Sequence, residues 1–377
     1  MKNERCRICG QDLFPDILLG LKNMPAAAQN FPTAENLSQD RGIDLELRQC
    51  SGCGVVQLTN PPVPYFRDVI RAAGCSPEMR EFRLKQFSEW IGKFQLENAK
   101  ILEVGCGQGE YLEIMRAAGG EVYGIEHLED SVKVCREHGL PVEPVYFEHG
   151  DEKLAPGPFG GFFILNWLEH IPDLRTFLRA LRNNLTPDAA GLVEVPNFDV
   201  MLKKGLTAEF TADHLYYFTG ETFRVTLESN GFEVLSCRPV WHDYILSAEV
   251  RRRPLLDTSP FRQKQQTLGR EIDAFAGKYG RTAVWGAGHQ ALAVMTLAGL
   301  EKKICYVVDS APFKQGKFTH ATHLPIVPPE RLKTDPPDAV LVMCAGFSDE
   351  VARILREQYD PAIHIGLLRE DHVEELS

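Results

Sequence analysis

The chain has 377 residues, more than a single hydrophobic core usually serves, and its 44% hydrophobic and 25% charged content is that of a globular protein rather than a disordered one. A formal net charge of −11 argues against a broad nucleic-acid or membrane surface, while leaving room for one local anion site. No apolar run is long enough to span a bilayer, and the opening MKNERCRICG lacks the apolar stretch of a secretory signal. Ten cysteines without such a signal point to a reducing, cytoplasmic setting.

Four of the ten cysteines are paired in the sequence: Cys6 with Cys9 in CRIC, and Cys50 with Cys53 in CSGC. Two C-x-x-C knuckles supply four thiolates, a closed tetrahedral set for a borderline metal, with zinc the default ion. Such a set leaves no open position, so the ion expected here is structural, stapling a loop-rich segment of marginal size. Gly10 and Gly54 follow the knuckles and suit tight turns. The other six cysteines are scattered and read as small buried apolar residues.

Pro61, Pro62 and Pro64 then mark a linker, and the pattern over Pro77–Phe94 predicts an amphipathic helix. From Lys100 short apolar runs alternate with helical stretches. Lys100–Val104, 122–125, 162–165 and 191–195 read as buried parallel strands, and 232–236 and 244–250 as late strands closing the sheet. A polar stretch from Arg251 marks a second boundary, after which a strand, a glycine turn, a helix and the strand Ile304–Val308 repeat the same design. Gly105 precedes Glu126 by 21 residues, and Gly286 precedes Asp309 by 23. The expected fold is therefore α/β in three parts: a zinc-binding domain over 1–62, a Rossmann-like domain over 63–250, and a second Rossmann-like α/β domain over 251–377.

The turn in ILEVGCGQGEYL carries Gly105, Gly107 and Gly109, preceded by Glu103. Glycines there let the backbone reach positive φ and approach a ligand closely. Glu126, at the end of the next strand, is placed to accept from two ribose hydroxyls. That spacing alone also suits NAD(P), which leaves an oxidoreductase as an alternative.

The acid-led form E-x-G-x-G-x-G resembles motif I of class I methyltransferases, which use S-adenosylmethionine (SAM), and FFILNWLEHIPD over 162–173 is similar to the segment after the fourth strand of that family. The resemblance implies that Glu103 and the 105–109 turn hold the methionine end and Glu126 the ribose. It also implies that Phe147 and Glu148 flank the adenine and that Asn166 lies under the methionine. Glu169 and His170 receive no chemistry and read as capping and packing residues.

The order of parts, with the CRxC…CxxCGxVQL head and the tail YVVDSAPFKQGKFTHATHLPI, resembles the nucleotide-sugar C-methyltransferase family across nearly the whole chain. That family acts on activated deoxysugars, and the resemblance implies a nucleotide-linked sugar as acceptor, with no nucleic-acid or membrane partner. The family's Tyr-x-Glu-His segment matches EFTADHLYYF over 209–218, so Asp213 and His214 fall at the acid and histidine positions and Thr211 at the tyrosine. A C–H beside a carbonyl is a weak acid and needs a positioned base, for which His214, oriented by Asp213, is the candidate. Tyr216 and Tyr217 read as packing.

Two further departures fall where the acceptor should bind. IRAAGCSPEM over 70–79 has no tyrosine, and VWHDYILS over 240–247 replaces a His-Gly-Gly segment, leaving His242 as a candidate cleft residue. These changes keep oxygen or nitrogen methylation open beside carbon methylation. A zinc-knuckle RNA-binding module is a third reading, disfavoured by the acidic charge and the lack of a basic, aromatic stripe. In the last domain, WGAGHQA over 285–291 opens a helix after a strand, and Asp309, Lys314 and Lys317 are candidates for gripping the nucleotide of an acceptor.

Overall fold

The structure, a computed structural model, describes residues 4–69 and 75–376. The chain divides into two compact units, Met1–Pro254 and Leu255–Ser377, with the four-cysteine segment inside the first.

In the first unit seven strands form one sheet in the spatial order Phe232–Val240, Ile245–Arg252, Leu185–Pro196, Phe159–Leu165, Lys100–Val104, Glu121–Ile125, Val142–Glu143. Leu185–Pro196 and the four strands after it in that order run parallel; the first two pair antiparallel. Apolar cores lie on both faces, which is why the parallel strands are continuous hydrophobic runs rather than alternating ones.

The helix Pro77–Phe94 shows how local rules and packing agree. Ser76 caps it by accepting from the Met79 N–H, Pro77 sits in its first turn, and Gln95 ends it in the left-handed conformation. Arg83, Phe87, Trp90 and Ile91 recur at helical spacing and are its buried residues. Truncating Phe87, which is fully buried, would cost about 3–5 kcal/mol by general experience of core phenylalanines. Arg83 is buried without exposure and meets Glu194 Oε2 at 2.5 Å, while Gln86 accepts from Arg83 Nη1 and donates to Glu194 Oε1, both at 2.7 Å. This buried pair fixes the helix against the strand Leu185–Pro196.

A second, four-stranded sheet is built from Leu19–Met24, Ile43–Gln49, Val56–Leu58 and Tyr216–Tyr217. Its last strand comes from the EFTADHLYYF segment: Val56 pairs with Tyr217 and Gln57 with Tyr216, and the Leu58 N–H donates to the Leu215 carbonyl at 3.0 Å. The cysteine segment and the segment carrying His214 are thus one sheet.

In the second unit six strands lie in the order Ile326–Val327, Ile304–Val308, Thr282–Trp285, Ala339–Val342, His364–Leu368, Val373–Leu376. All pairings are parallel except the last. Thr282–Trp285 lies between strands that follow it in sequence on either side, the switch point at which open α/β sheets present a crevice.

Candidate active site and four-cysteine centre

The glycine turn leaves Lys100–Val104 with Gly105, Gly107 and Gly109 at φ 72°, 56° and 87°. Space matters as much as φ. A Cβ on Gly105 would lie 2.8 Å from Trp167 Cδ2, and one on Gly109 would collide with Leu140, while nothing lies within 4 Å above Gly107. Glu126 holds the turn from the neighbouring strand end: its Oε2 accepts from the Gly107 N–H at 2.9 Å, and its Oε1 from the His127 and Leu128 N–H groups at 2.8 and 3.0 Å. Glu103 is buried behind the turn. Asn166 follows Phe159–Leu165 at φ 48°; its N–H donates to the Glu194 carbonyl, and its buried Oδ1 has no partner.

These features fit the group that the sequence implies. SAM presents an ammonium, ribose hydroxyls and an exocyclic amine, all donors, and the cradle offers acceptors around open space: the partly exposed Glu126 carboxylate and the unpartnered Asn166 oxygen. Three of the roughly four lone-pair sites of the Glu126 carboxylate hold the turn, and the remaining one is on Oε2.

Phe147 does not flank this cradle. It is 2% exposed and packs against Phe177, with ring centroids 5.8 Å apart. Its neighbour Tyr146 instead lies edge-on to His127 (6.2 Å) and Trp167 (5.8 Å) and beside Phe66 (6.0 Å). Both residues lie in the irregular stretch after the strand Val142–Glu143, where no strand period tells which side chain turns inward. Burial pushes the Tyr146 phenol up, so it stays neutral. Glu148 is half-exposed and pairs with Arg67 at 2.5 Å, while His127 lies 3.7 Å from Asp68. The stretch leaving the cysteine segment therefore crosses this side of the cradle, a relation over 81 positions that no local pattern signals. Of the expected acceptor stretch 70–79, residues 70–74 lie outside the described residues.

Asp213 and His214 are side by side, but Asp213 does not orient His214. Its Oδ1 accepts the Thr211 hydroxyl at 2.6 Å, and its backbone carbonyl is bonded to Nδ1 of His170 at 2.9 Å. The oriented imidazole is His170, which meets His214 in a T-shaped pair with centroids 4.7 Å apart. Glu169 completes the group: it is 1% exposed, its Oε1 is 3.9 Å from His170 Nε2, its Oε2 has no partner, and its carbonyl accepts from the Leu215 N–H at 2.8 Å. The expectation of capping and packing for Glu169 and His170 does not foresee their meeting with His214. The signal available was two ionisable residues in a row directly after a buried strand. Burial, with His170 adding to it, brings His214 down to about 3, so the imidazole is neutral with a lone pair to offer; burial raises Glu169 to about 8.

His242 lies elsewhere. Its side chain is 75% exposed, on the turn between Phe232–Val240 and Ile245–Arg252, 3.8 Å from Glu78. Trp241, His242 and Asp243 all have positive φ (48°, 56°, 65°), held by Asn197, whose Nδ2 donates to the Asp243 carbonyl at 2.7 Å. The turn lines an open groove of about 410 Å³ with Glu78, Glu81, Phe82 and Lys85. Tyr216 and Tyr217 are buried, and Tyr217 packs on Phe198 and Phe210, as packing residues should.

The four knuckle sulfurs of Cys6, Cys9, Cys50 and Cys53 all lie within 4.8 Å of one another, with Cys6–Cys53 at 3.6 Å and Cys9–Cys50 at 3.4 Å. Backbone N–H groups of Ile8 and Cys9 point at Cys6 Sγ, and those of Gly52 and Cys53 at Cys50 Sγ, at 3.3–3.5 Å. The Cys53 thiol, with those amides and against burial, brings Cys6 down to about 5. Four converging sulfurs with amide donors to two of them fit a tetrahedral thiolate-bound ion.

In the second unit Gly286 has φ 118°, and a Cβ there would lie 2.7 Å from the Met343 carbonyl. Asp309 accepts from the Ala287 N–H (2.8 Å), the Ala311 N–H (2.9 Å) and Lys314 Nζ (2.8 Å). The repeat of glycine turn and strand-end acid is thus a repeat of structure: here, as in the first unit, the acid fastens the turn.

Comparison with known proteins adds to this geometry. Residues 78–237 match a family model described as a methyltransferase domain, and residues 259–364 one described as a C-methyltransferase C-terminal domain. The C-methyltransferase NovU of Streptomyces niveus is 23% identical over 92% of this chain and 91% of its own length. This protein is a SAM-dependent methyltransferase. With that, the oxidoreductase reading of the glycine turn drops out. The methyltransferase is also similar, at 38% identity over 24% of its length, to the ubiquinone biosynthesis O-methyltransferase of Bordetella avium, of which it spans 41%. A SAM-dependent methyltransferase from Aquifex aeolicus superposes on 47% of this chain and 94% of its own, with a TM-score of 0.38 and 20% identity.

Proposed function

We propose that this methyltransferase acts on a nucleotide-activated sugar or a related small metabolite, with His214 as general base, and that the four cysteines hold a structural zinc ion. The observation that carries the reading is the pairing of the half-buried His214 with the buried His170, which follows the same strand as Asn166 and Trp167, at the strand end next to the glycine turn. A base is thereby set next to the cradle proposed for the donor. Similarity to a C-methyltransferase over nine-tenths of the chain supports carbon as the acceptor atom. A second Rossmann-like unit with its own fastened glycine turn supports an acceptor that carries a nucleotide.

Bound SAM would supply an electrophilic methyl group on a sulfonium. In this reading the 105–109 turn, Glu103 and Asn166 hold its methionine end, Glu126 its ribose, and Tyr146 and Glu148 border its adenine. His214 removes the acceptor proton. It is neutral at pH 7, so a ring lone pair is available to receive that proton. His170, bonded to the Asp213 carbonyl, packs against the ring and limits its orientation. Alignment of acceptor and donor supplies much of the remaining rate, ~7–11 kcal/mol in well-oriented reactions.

Oxygen as the acceptor atom is the second reading, favoured by one observation. The hydroxyl at the position expected for a tyrosine base belongs to Thr211, and it is donated to Asp213. One base suffices for a hydroxyl acceptor.

The test is turnover of SAM with a panel of nucleotide sugars in deuterated water, read by mass spectrometry. Methyl gain with exchange of a carbon-bound hydrogen beside a keto group supports carbon methylation. Methyl gain without exchange moves the reading to oxygen or nitrogen. Binding of SAM without methyl gain to any nucleotide sugar removes this acceptor class.

A further inference from the structure

Glu169, His170 and His214 offer a carboxylate oxygen and two ring nitrogens that lie within 4.8 Å of one another. Three further facts single this group out. Glu169 is 1% exposed, and its Oε2 has no hydrogen-bond partner. A buried carboxyl oxygen in that state is rare, because each unmade bond is costly. His170 has Nδ1 bonded to the Asp213 carbonyl, which fixes the proton on Nδ1 and leaves a lone pair on Nε2, 3.9 Å from Glu169 Oε1, the outer-sphere arrangement that metal-ligating histidines show. His214 makes no hydrogen bond among the described residues, so neither of its ring nitrogens is committed elsewhere.

We infer that Glu169, His170 and His214 form a second metal site, for a divalent transition ion such as zinc, cobalt or nickel, chemically separate from the four-cysteine centre. Two imidazoles and one carboxylate are the ligand set such ions prefer, and calcium or magnesium, which need mostly oxygen, are excluded. Ligand atoms around a four-coordinate ion with bonds of 2.0–2.1 Å are about 3.3 Å apart. The His170–Glu169 separation of 3.9 Å therefore closes by a side-chain adjustment without backbone movement. Three protein ligands leave a fourth position open.

The consequence rests on the base reading above. An ion here occupies the lone pair on His214 that would take the acceptor proton, so metal binding inhibits methyl transfer. A four-thiolate site and a site of two imidazoles and a carboxylate also differ in softness, so one ion fills both with different strength.

The experiment is equilibrium dialysis of the full chain against Co2+, with bound cobalt counted by mass spectrometry and its ligands read from the absorption spectrum. Wild type is expected to retain one more Co2+ per chain than Glu169→Gln or His214→Ala. The extra ion should add ligand-field bands without adding thiolate-to-metal charge transfer. Binding of S-adenosylhomocysteine (SAH) by each variant reports that it is folded, and the near-isosteric Glu169→Gln guards against a collapse in His214→Ala. Equal cobalt content in wild type and a folded Glu169→Gln variant overturns the site. An extra ion in wild type, with methyl transfer intact in His214→Ala, upholds the metal site and sinks the base reading. Loss of transfer in His214→Ala with no extra ion does the reverse.

Discussion

Gly105 and Trp167 touch in a way that only a glycine permits: a single Cβ at 105 would stand 2.8 Å from the indole Cδ2. The glycine turn after Lys100–Val104 and the segment after Phe159–Leu165 are therefore one surface. Gly105 serves it twice, by its φ of 72° and by its lack of a side chain.

Gly105→Ala is expected to lose about 1–3 kcal/mol of stability from the positive φ alone, with the clash against Trp167 added. SAH binding should weaken at least tenfold, since the turn cannot keep its shape. Calorimetric titration with SAH alongside thermal unfolding checks this, and unchanged affinity would remove the turn from the donor site.

His214→Gln should lower kcat by roughly 10²–10⁴, the usual worth of a positioned base, while leaving SAH affinity within about twofold. Steady-state kinetics on whichever nucleotide sugar is turned over decides it. A variant with near wild-type kcat would assign the proton to another group.

Removal of the ion proposed at the four cysteines should reach the base. Val56–Leu58 pairs directly with Tyr216–Tyr217, two residues from His214, so chelation or Cys50→Ser should loosen the sheet that carries the histidine. The expected result is a lowered Tm and a fall in kcat larger than the fall in SAH affinity. Equal kcat before and after complete zinc removal would contradict it.

Asp309 gives a prediction in pH. Burial pushes its carboxyl up, but Lys314 and the Ala311 and Ala287 amides outweigh that, leaving it below the ordinary carboxylate value. A carboxyl lowered in the folded state contributes stability that is fully present above its unfolded pKa, ~3.9, and is lost as pH falls through the folded value. Asp309→Asn should therefore destabilise the chain at neutral pH by about 1–3 kcal/mol and flatten the acid limb of its stability profile below about pH 4. Parallel acid limbs in wild type and variant would show that the carboxylate does not carry the effect.

Much of the architecture was legible in the sequence because it rests on local rules. Lys100–Val104, Ile304–Val308 and the helix Pro77–Phe94 lie where apolar runs, glycine turns and amphipathic spacing place them. The two C-x-x-C knuckles announced a cluster whose sulfurs do converge. Glycines at 105, 107 and 109 declared positive φ, and each has it. Such features depend on neighbours a few positions apart, so residue type and spacing are enough.

Side-chain company was not legible. Phe147 is buried against Phe177 while Tyr146 meets Trp167, because both lie in an irregular stretch with no period to set their direction. Asp213 turned to Thr211, and its backbone went to His170, because a short hydroxyl two residues away outcompetes a neighbouring ring whose direction the chain dictates. His242 was carried to an exposed turn beside Glu78 by a hairpin whose left-handed residues no periodicity foretells. Glu169 and His170 became partners of His214 only when the cysteine-segment sheet took Tyr216–Tyr217 as its last strand. The sequence by itself determined the strands, turns and thiol knuckles, since these follow from short-range sterics and burial periodicity. Only the tertiary structure decided which ionisable groups meet, since that depends on contacts between segments tens of residues apart.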